Sequence, residues 1–153
     1  MIDASDLRIL AILMDDARIS WVQLSEQVNL SASACQRRVE SMRASGVIAR
    51  FTTDIDPAKV GLSIQAFVQI KVERQKTERA IAFRERITGY PEVRAAYKLS
   101  GNIDYLIHIL VPDITALSRF IDDKMLALDG VVDASSAIVL EALETNGALS
   151  LSA

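Results

Sequence analysis

Residues 20–46 read SWVQLSEQVNLSASACQRRVESMRASG, and the fold of the first part of the chain follows from this stretch. Ser20 and Gln23 have the spacing of a capping box, in which the hydroxyl accepts from a free helical N–H and the glutamine reaches back. Leu24 and Val28 then lie four residues apart, on one face of a helix. The stretch therefore predicts a helix that begins at Ser20 and is broken by Asn29-Leu30.

A further helix is predicted directly after this break. Ser31 can cap it, and Ser45-Gly46 stops it after about Ala44. Upstream, residues 5–15 carry apolar side chains at helical spacing. Leu7, Leu10 and Met14 share one face of that helix, and Ile9 and Leu13 widen the face. Three short helices with a tight break between the second and the third predict a helix-turn-helix.

The third helix has an apolar seam and a polar far side. On a helical wheel Cys35, Val39 and Met42 fall within about 60° of one another, which predicts that they are buried. The far side carries Ser33, Gln36, Arg37 and Glu40. Serine, glutamine and arginine are residue types that hydrogen-bond base edges and phosphates, and in a helix-turn-helix the beginning of the second helix reads the major groove.

The region around this helix is basic although the chain is acidic. Four arginines and one acid lie between Ser31 and Arg50, in a chain of 153 residues with a formal net charge of -3. A local basic element is what a phosphate-binding surface needs. Arg38 flanks the buried seam, so we expect it to bind a phosphate or a neighbouring carbonyl rather than a base. The residues expected to bind DNA are Ser31, Ser33, Gln36, Arg37, Arg38 and Arg43.

A strand or short hairpin is predicted after the third helix. Residues 47–55 are rich in β-branched and aromatic side chains, which favour strands and would form the wing of a winged helix. Residues 56–61 then carry turn-forming residues. We therefore divide the chain into a DNA-binding domain, 1–61, and a second domain, 62–153.

The second domain predicts the element order β-α-β-β-α-β. Strands are expected at 64–72, 93–99, 105–111 and 131–140, and helices at 77–88 and from 114 to about 126. This order is that of a ferredoxin-like α+β domain with a four-stranded antiparallel sheet. Helices cover one face of such a sheet. Because Phe67 and both sides of 105–111 are apolar, we expect a second copy of the chain to cover the other face.

Composition argues against several classes of protein. One cysteine, Cys35, excludes an intramolecular disulfide framework. With only one histidine, His108, beside it, the usual set of zinc ligands is not available, and we expect no metal and no cofactor. No nucleophile–base set, phosphate-binding loop or dinucleotide fingerprint is present, so we expect no catalytic residues and no enzyme activity. We interpret His108 as a packed or interface residue. Because the chain lacks a signal peptide and a long apolar stretch, we expect cytoplasmic localisation in a prokaryote.

Taken together, these motifs resemble the Lrp/AsnC, or feast/famine, family of transcriptional regulators, over nearly the whole chain. The markers are residues 2–10, 16–20, 24–31, 37–39, 46–48, 100–105 and 111–113. The chain departs from the family at Ala32 and Ala34, where prolines are usual, and at Asn102 in the hallmark loop.

The resemblance implies a homo-oligomer: a dimer formed through the sheet of the second domain, with octamers as a further possibility. It also implies that an amino acid or related molecule binds between dimers and changes DNA affinity or assembly. From the residues themselves, Gly101 exposes N–H groups that suit a carboxylate, and Asp104 can pair with an ammonium group.

The family extends this pocket to the last strand, whose side chains there are small or aliphatic. The residues expected to bind the effector are Leu99, Ser100, Gly101, Asn102, Asp104, Ala137, Ile138 and Val139. We therefore expect an aliphatic amino acid, such as leucine or methionine, as the ligand. One alternative stays open, namely an amino-acid-sensing oligomeric scaffold without specific DNA binding.

Overall fold

The structure of the chain is a computed structural model that describes residues 2–73 and 77–143. It contains two compact units, of which the first ends at Asp54 and the second spans Ile55–Leu143. The predicted boundary lies later, at residue 61, because the sequence assigns the linker to the first domain. A 3-10 turn, Ala58–Val60, stands in this linker. Residues 144–153, the end of the expected second domain, lie outside the described residues.

Three helices form the first unit: α1 (Ala4–Asp15), α2 (Trp21–Val28) and α3 (Ala32–Ala44). A side-chain oxygen caps each helix at its beginning, from Asp3, Ser20 and Ser31. The capping box predicted at the start of α2 is confirmed. Asn29 ends α2 in the left-handed region, with a φ of 55°, and so makes the tight turn into α3.

The core of this unit confirms the seam predicted on α3. The buried apolar residues are Ile9, Leu24, Val28, Cys35, Val39 and Met42. The face predicted for α1 is shifted, because Ile9 is fully buried whereas Met14 is 41% exposed. Ile9 therefore takes the central place that the sequence pattern gave to Leu10.

The strand or short hairpin predicted at residues 47–55 is wrong. Between Gly46 and Ile64, a range that the structure describes in full, no strand is formed. Val47, Phe51 and Ile55 are exposed. β-branched and aromatic side chains stabilise a strand only when a neighbouring strand offers a ladder and a packing surface, and this unit supplies neither.

The second unit has the predicted β-α-β-β-α-β order. Its elements are β1 (Ile64–Val72), α4 (Thr77–Thr88), β2 (Val93–Lys98), β3 (Tyr105–Val111), α5 (Ile114–Arg119) and β4 (Val131–Ile138). The strands pair antiparallel in the spatial order β2-β3-β1-β4, so β3 is internal as its two apolar sides predict. The helix predicted from 114 to about 126 is confirmed in its extent, but its second half, Phe120–Met125, is π-helical rather than α-helical.

Alternation along the strands gives the sheet two different faces. The helices cover one face, whose buried residues include Val68, Ile70, Ile107 and Ile109 on the strands. The opposite face, which we call the open sheet face, carries the ring of Phe67 stacked on that of His108, with centroids 4.9 Å apart. No helix of the described residues is long and apolar enough to cross a membrane.

Candidate nucleic-acid interface and ligand loop

The rotation of α3 decides which of its side chains reach solvent. Cys35, Val39 and Met42 are at most 2% exposed. Gln36 and Arg37 are exposed on the other side of the helix. In the part of the chain that the structure describes, the guanidinium of Arg37 has no ion-pair partner, and it is available to an external acceptor.

The serines at the start of α3 are engaged in helix capping. The N–H of Ala34 donates to Oγ of Ser31 at 3.2 Å. Oγ of Ser33 lies 3.2 Å from Oγ of Ser31, and both residues are exposed. The cap therefore orders the first turn of α3.

Arg38, which is partly exposed, is engaged by two carboxylates of the first unit. Its Nη1 lies 2.8 Å from Oδ2 of Asp3 and 2.8 Å from Oδ1 of Asp6. The N–H of Asp6 and the guanidinium of Arg38 together lower the pKa of the Asp3 carboxyl, and the two carboxylates raise the pKa of Arg38. The phosphate contact expected of Arg38 competes with this arrangement, because the same guanidinium already binds two carboxylates.

Asp3 and Asp6 are residues that the sequence analysis missed. Asp3 caps α1 and Asp6 reaches back to the N–H of Asp3 at 3.1 Å, so they form a reciprocal capping box. The signal was present as two acids three residues apart before an apolar run. Their pairing with Arg38 has no such signal, because the residues are separated by 35 and 32 positions.

Arg43 lies in the last turn of α3, away from its beginning. Its guanidinium carbon is 5.8 Å from the centroid of the Phe51 ring, in a cation–π arrangement. Both residues are exposed. Arg43 therefore contacts the segment that follows α3, while Gln36 and Arg37 lie near the beginning of the helix.

The loop between β2 and β3 has exposed residues at its tip and a carboxylate, that of Asp104, which is hydrogen-bonded to the backbone of β1. Ser100, Gly101 and Asn102 are exposed, and Gly101 has a φ of 137°, which L side chains rarely adopt. Asp104 closes the loop: its carbonyl accepts from the N–H of Leu99 at 2.8 Å. Its Oδ2 accepts from the N–H of Val72 at 2.9 Å.

The two parts of the expected effector pocket lie at opposite ends of the sheet. The loop leads into Tyr105, which pairs with Ile70 of β1. Ile138 pairs instead with Ala66, four residues earlier on β1. Four residues of strand span about 13 Å, so one protomer does not bring the loop together with Ala137, Ile138 and Val139.

The open sheet face has a buried histidine nitrogen without a partner. Nε2 of His108 has no hydrogen bond and almost no contact with solvent. Burial, and to a lesser extent the charge of Arg94, lower the pKa of His108. The imidazole is therefore neutral at neutral pH, as suits a face that is half-buried and apolar around Leu106 and Leu110.

Comparison with known proteins assigns both units. Residues 2–49 match the family model for winged helix-turn-helix DNA-binding domains, and residues 65–149 match that for the Lrp/AsnC ligand binding domain. The chain belongs to the Lrp/AsnC family. It is a DNA-binding transcriptional regulator with a small-molecule-binding domain and not an enzyme.

Lrp/AsnC relatives match along almost the whole chain. The transcriptional regulator AzlB of Bacillus subtilis is 33% identical over 140 residues, which are 92% of this chain and 89% of AzlB. AldR of Mycolicibacterium smegmatis is 34% identical over 142 residues, 93% of this chain and 83% of that protein. A Neisseria meningitidis regulator, crystallised as a complex with L-methionine, has a TM-score of 0.91 and 32% identity, with 97% and 96% of the two chains covered.

The position of Arg38 predicts that its substitution acts on stability. Arg38→Ala removes the guanidinium from Asp6, whose side chain is only 10% exposed, and should lower the thermal midpoint. The neighbouring Arg37→Ala, at an exposed position, is the matched control and should leave the midpoint unchanged. Because the pKa of Asp3 is lowered below 3.8, the ion-pair stabilisation is complete above that pH and is lost as the pH falls through the lowered pKa.

Calorimetry at pH 7 and over an acid series measures this effect, and the salt dependence of DNA binding separates it from a phosphate contact. If the role of Arg38 is structural, Arg38→Ala should leave unchanged the slope of the logarithm of the DNA-binding constant against the logarithm of the salt concentration. A slope reduced by about 1 at an unchanged thermal midpoint would instead support the phosphate contact.

Proposed function

We propose that the beginning of α3 binds the major groove of duplex DNA, with Gln36 and Arg37 on base edges. The observation that carries this proposal is the rotation of α3, which buries Cys35, Val39 and Met42 and exposes the opposite side. Ser31 and Ser33 stand at the first turn, where N–H groups and hydroxyls suit a phosphate. Arg43 is further along the helix and serves the phosphate backbone.

We also propose that the regulator responds to a free amino acid bound at the loop Leu99–Asp104. Exposed N–H groups around Gly101 suit a carboxylate, and the second oxygen of Asp104 can receive an ammonium group. The L-methionine complex of the Neisseria regulator supports an amino acid as ligand. We favour an aliphatic one, because Ala137, Ile138 and Val139 offer no charge to a polar side chain.

The effector pocket requires more than one copy of the chain in this proposal. Since the loop and residues 137–139 lie at opposite ends of one sheet, the second half of the pocket comes from another protomer. The open sheet face, with Phe67 and His108, is the surface through which we propose that a dimer forms. In this proposal, dimers join into larger closed assemblies up to an octamer, which act on DNA in the prokaryotic cytoplasm.

The second candidate function is an amino-acid-sensing scaffold that has lost specific DNA binding. The acidic net charge of -3 favours it, since a regulator that relies on general attraction to DNA would be basic. A mobility-shift assay on the DNA upstream of the chain's own gene, with an excess of unrelated competitor, distinguishes the two. Binding that survives the competitor supports the regulator, and binding lost to it supports the scaffold.

Arg37→Ala tests the reading surface. If Arg37 holds a base edge, its removal should cost about 1–3 kcal/mol of binding free energy on the selected site, and the variant should fold normally because the side chain is exposed. Fluorescence anisotropy measures the affinity. Lys59→Ala, at an exposed position in the second unit, is the control. Parental affinity in folded Arg37→Ala would remove Arg37 from the interface.

Phe67→Lys tests the open sheet face. A charge introduced at the centre of an apolar interface should convert the parent oligomer towards a monomer at micromolar concentration. Ile114→Lys, at an exposed position 55% accessible on the helical side of the sheet, is the matched control. Light scattering measures the mass, and a monomeric parent would contradict the proposal.

Asp104→Asn tests the effector loop. The amide keeps an oxygen that can accept from the N–H of Val72, yet it loses the charge that an ammonium group needs. Calorimetry with methionine, leucine, aspartate and lysine should show heat for the aliphatic pair in the parent and none in the variant, with DNA affinity retained. Equal binding by parent and variant, or none by the parent, would show that the site is elsewhere.

A further inference from the structure

One hydrogen bond on the exposed side of α3 orients a side chain that the proposed function assigns to base reading. Nε2 of Gln36 donates to Oε1 of Glu40 at 3.0 Å, one helical turn further along. Both residues are exposed, and Glu40 is the single acid of α3. The pair stands beside Arg37, on the side of the helix opposite the buried seam.

The carboxylate of Glu40 determines the orientation of the neighbouring amide of Gln36. The ionised side chain of Glu40 only accepts hydrogen bonds, whereas the amide of Gln36 both donates and accepts. The amide nitrogen must therefore face Glu40, and the reversed orientation would set two acceptor oxygens against each other. An exposed glutamine without such a neighbour can adopt either orientation.

This orientation leaves a defined edge of Gln36 for a ligand. One N–H is used by Glu40, and the second N–H remains beside the carbonyl oxygen. A donor next to an acceptor is the pattern that matches adenine in the major groove, where N7 accepts and N6 donates. With the amide reversed, the donor and the acceptor on this edge would exchange places, and they would no longer match N7 and N6 of adenine.

We propose that Glu40 is a positioning residue that holds Gln36 in the orientation that reads adenine and disfavours guanine. The proposal rests on the proposed docking of α3 in the major groove. A carboxylate near the phosphates also weakens binding to every duplex through repulsion. Glu40 thus lowers general affinity while it raises the selectivity at one base pair.

The experiment uses the full-length chain and a duplex that the parent selects from a random-sequence library. Measuring the affinity for every single-base variant of this duplex gives, at each position, the ratio of the binding constant with adenine to that with guanine. Gln36→Ala identifies the position that Gln36 reads. Glu40→Asp keeps the charge but is too short for the hydrogen bond, whereas Glu40→Gln loses the charge and can present either end of its amide. Circular dichroism checks folding.

A bidentate contact predicts a parental ratio of about 5- to 150-fold at the Gln36 position. Glu40→Asp should reduce the ratio to near unity with an unchanged salt slope. Glu40→Gln should reduce it similarly and bind an unselected duplex several-fold more tightly. In the Gln36→Ala background neither substitution should alter the ratio, so the double-mutant cycle isolates the orientation effect from the charge effect.

Two results separate the failure of this inference from that of the proposed function. If Gln36→Ala abolishes the preference and both Glu40 variants retain it, α3 reads DNA but Glu40 does not position Gln36. If Gln36→Ala keeps the affinity and every base preference of the parent, Gln36 does not read DNA and both proposals are overturned for this residue.

Discussion

Burial of one side of α3 is the constraint on which the functional surface of this regulator depends. Cys35, Val39 and Met42 pack with Ile9 and Leu24, and all are at most 2% exposed. A helix that must bury this seam has no freedom to rotate, so its opposite side always carries the same polar groups. The ion pairs from Arg38 to α1 add a polar attachment at the edge of the same contact. In the proposed function, specificity for DNA then resides in side chains of α3 that do not contribute to this packing.

In the second unit, burial of one face of the sheet likewise determines which side chains the other face carries. Strand alternation sends Val68 and Ile107 to the helices and Phe67 and His108 to the open sheet face. Nε2 of His108 is buried without a hydrogen-bond partner, a costly state that a hydrogen bond from a second copy in the proposed dimer would relieve. The separation of the effector loop from residues 137–139 points in the same direction. A ligand that touches both would link copies of the chain, and ligand binding would thereby couple to assembly.

Local signals in the sequence predict most of the fold and part of the site. Capping at Ser20 and Ser31 and the spacing of apolar residues place α2 and α3 correctly because these effects act within one or two turns. The strand predicted at 47–55 fails because a strand depends on a partner that local sequence does not specify. The pairing of Arg38 with Asp3 is likewise a long-range contact that local sequence does not specify. The distance between the two parts of the expected effector pocket follows only from the strand register.

The most direct measurement of the central claim, that the exposed side of α3 reads DNA, is a structure of the full-length chain on its selected duplex. The predicted result is the beginning of α3 in the major groove, with Gln36 and Arg37 within about 3 Å of base edges and Arg38 still paired with Asp6. A complex in which α3 lies away from the groove, or in which Gln36 and Arg37 contact only solvent, would contradict the claim.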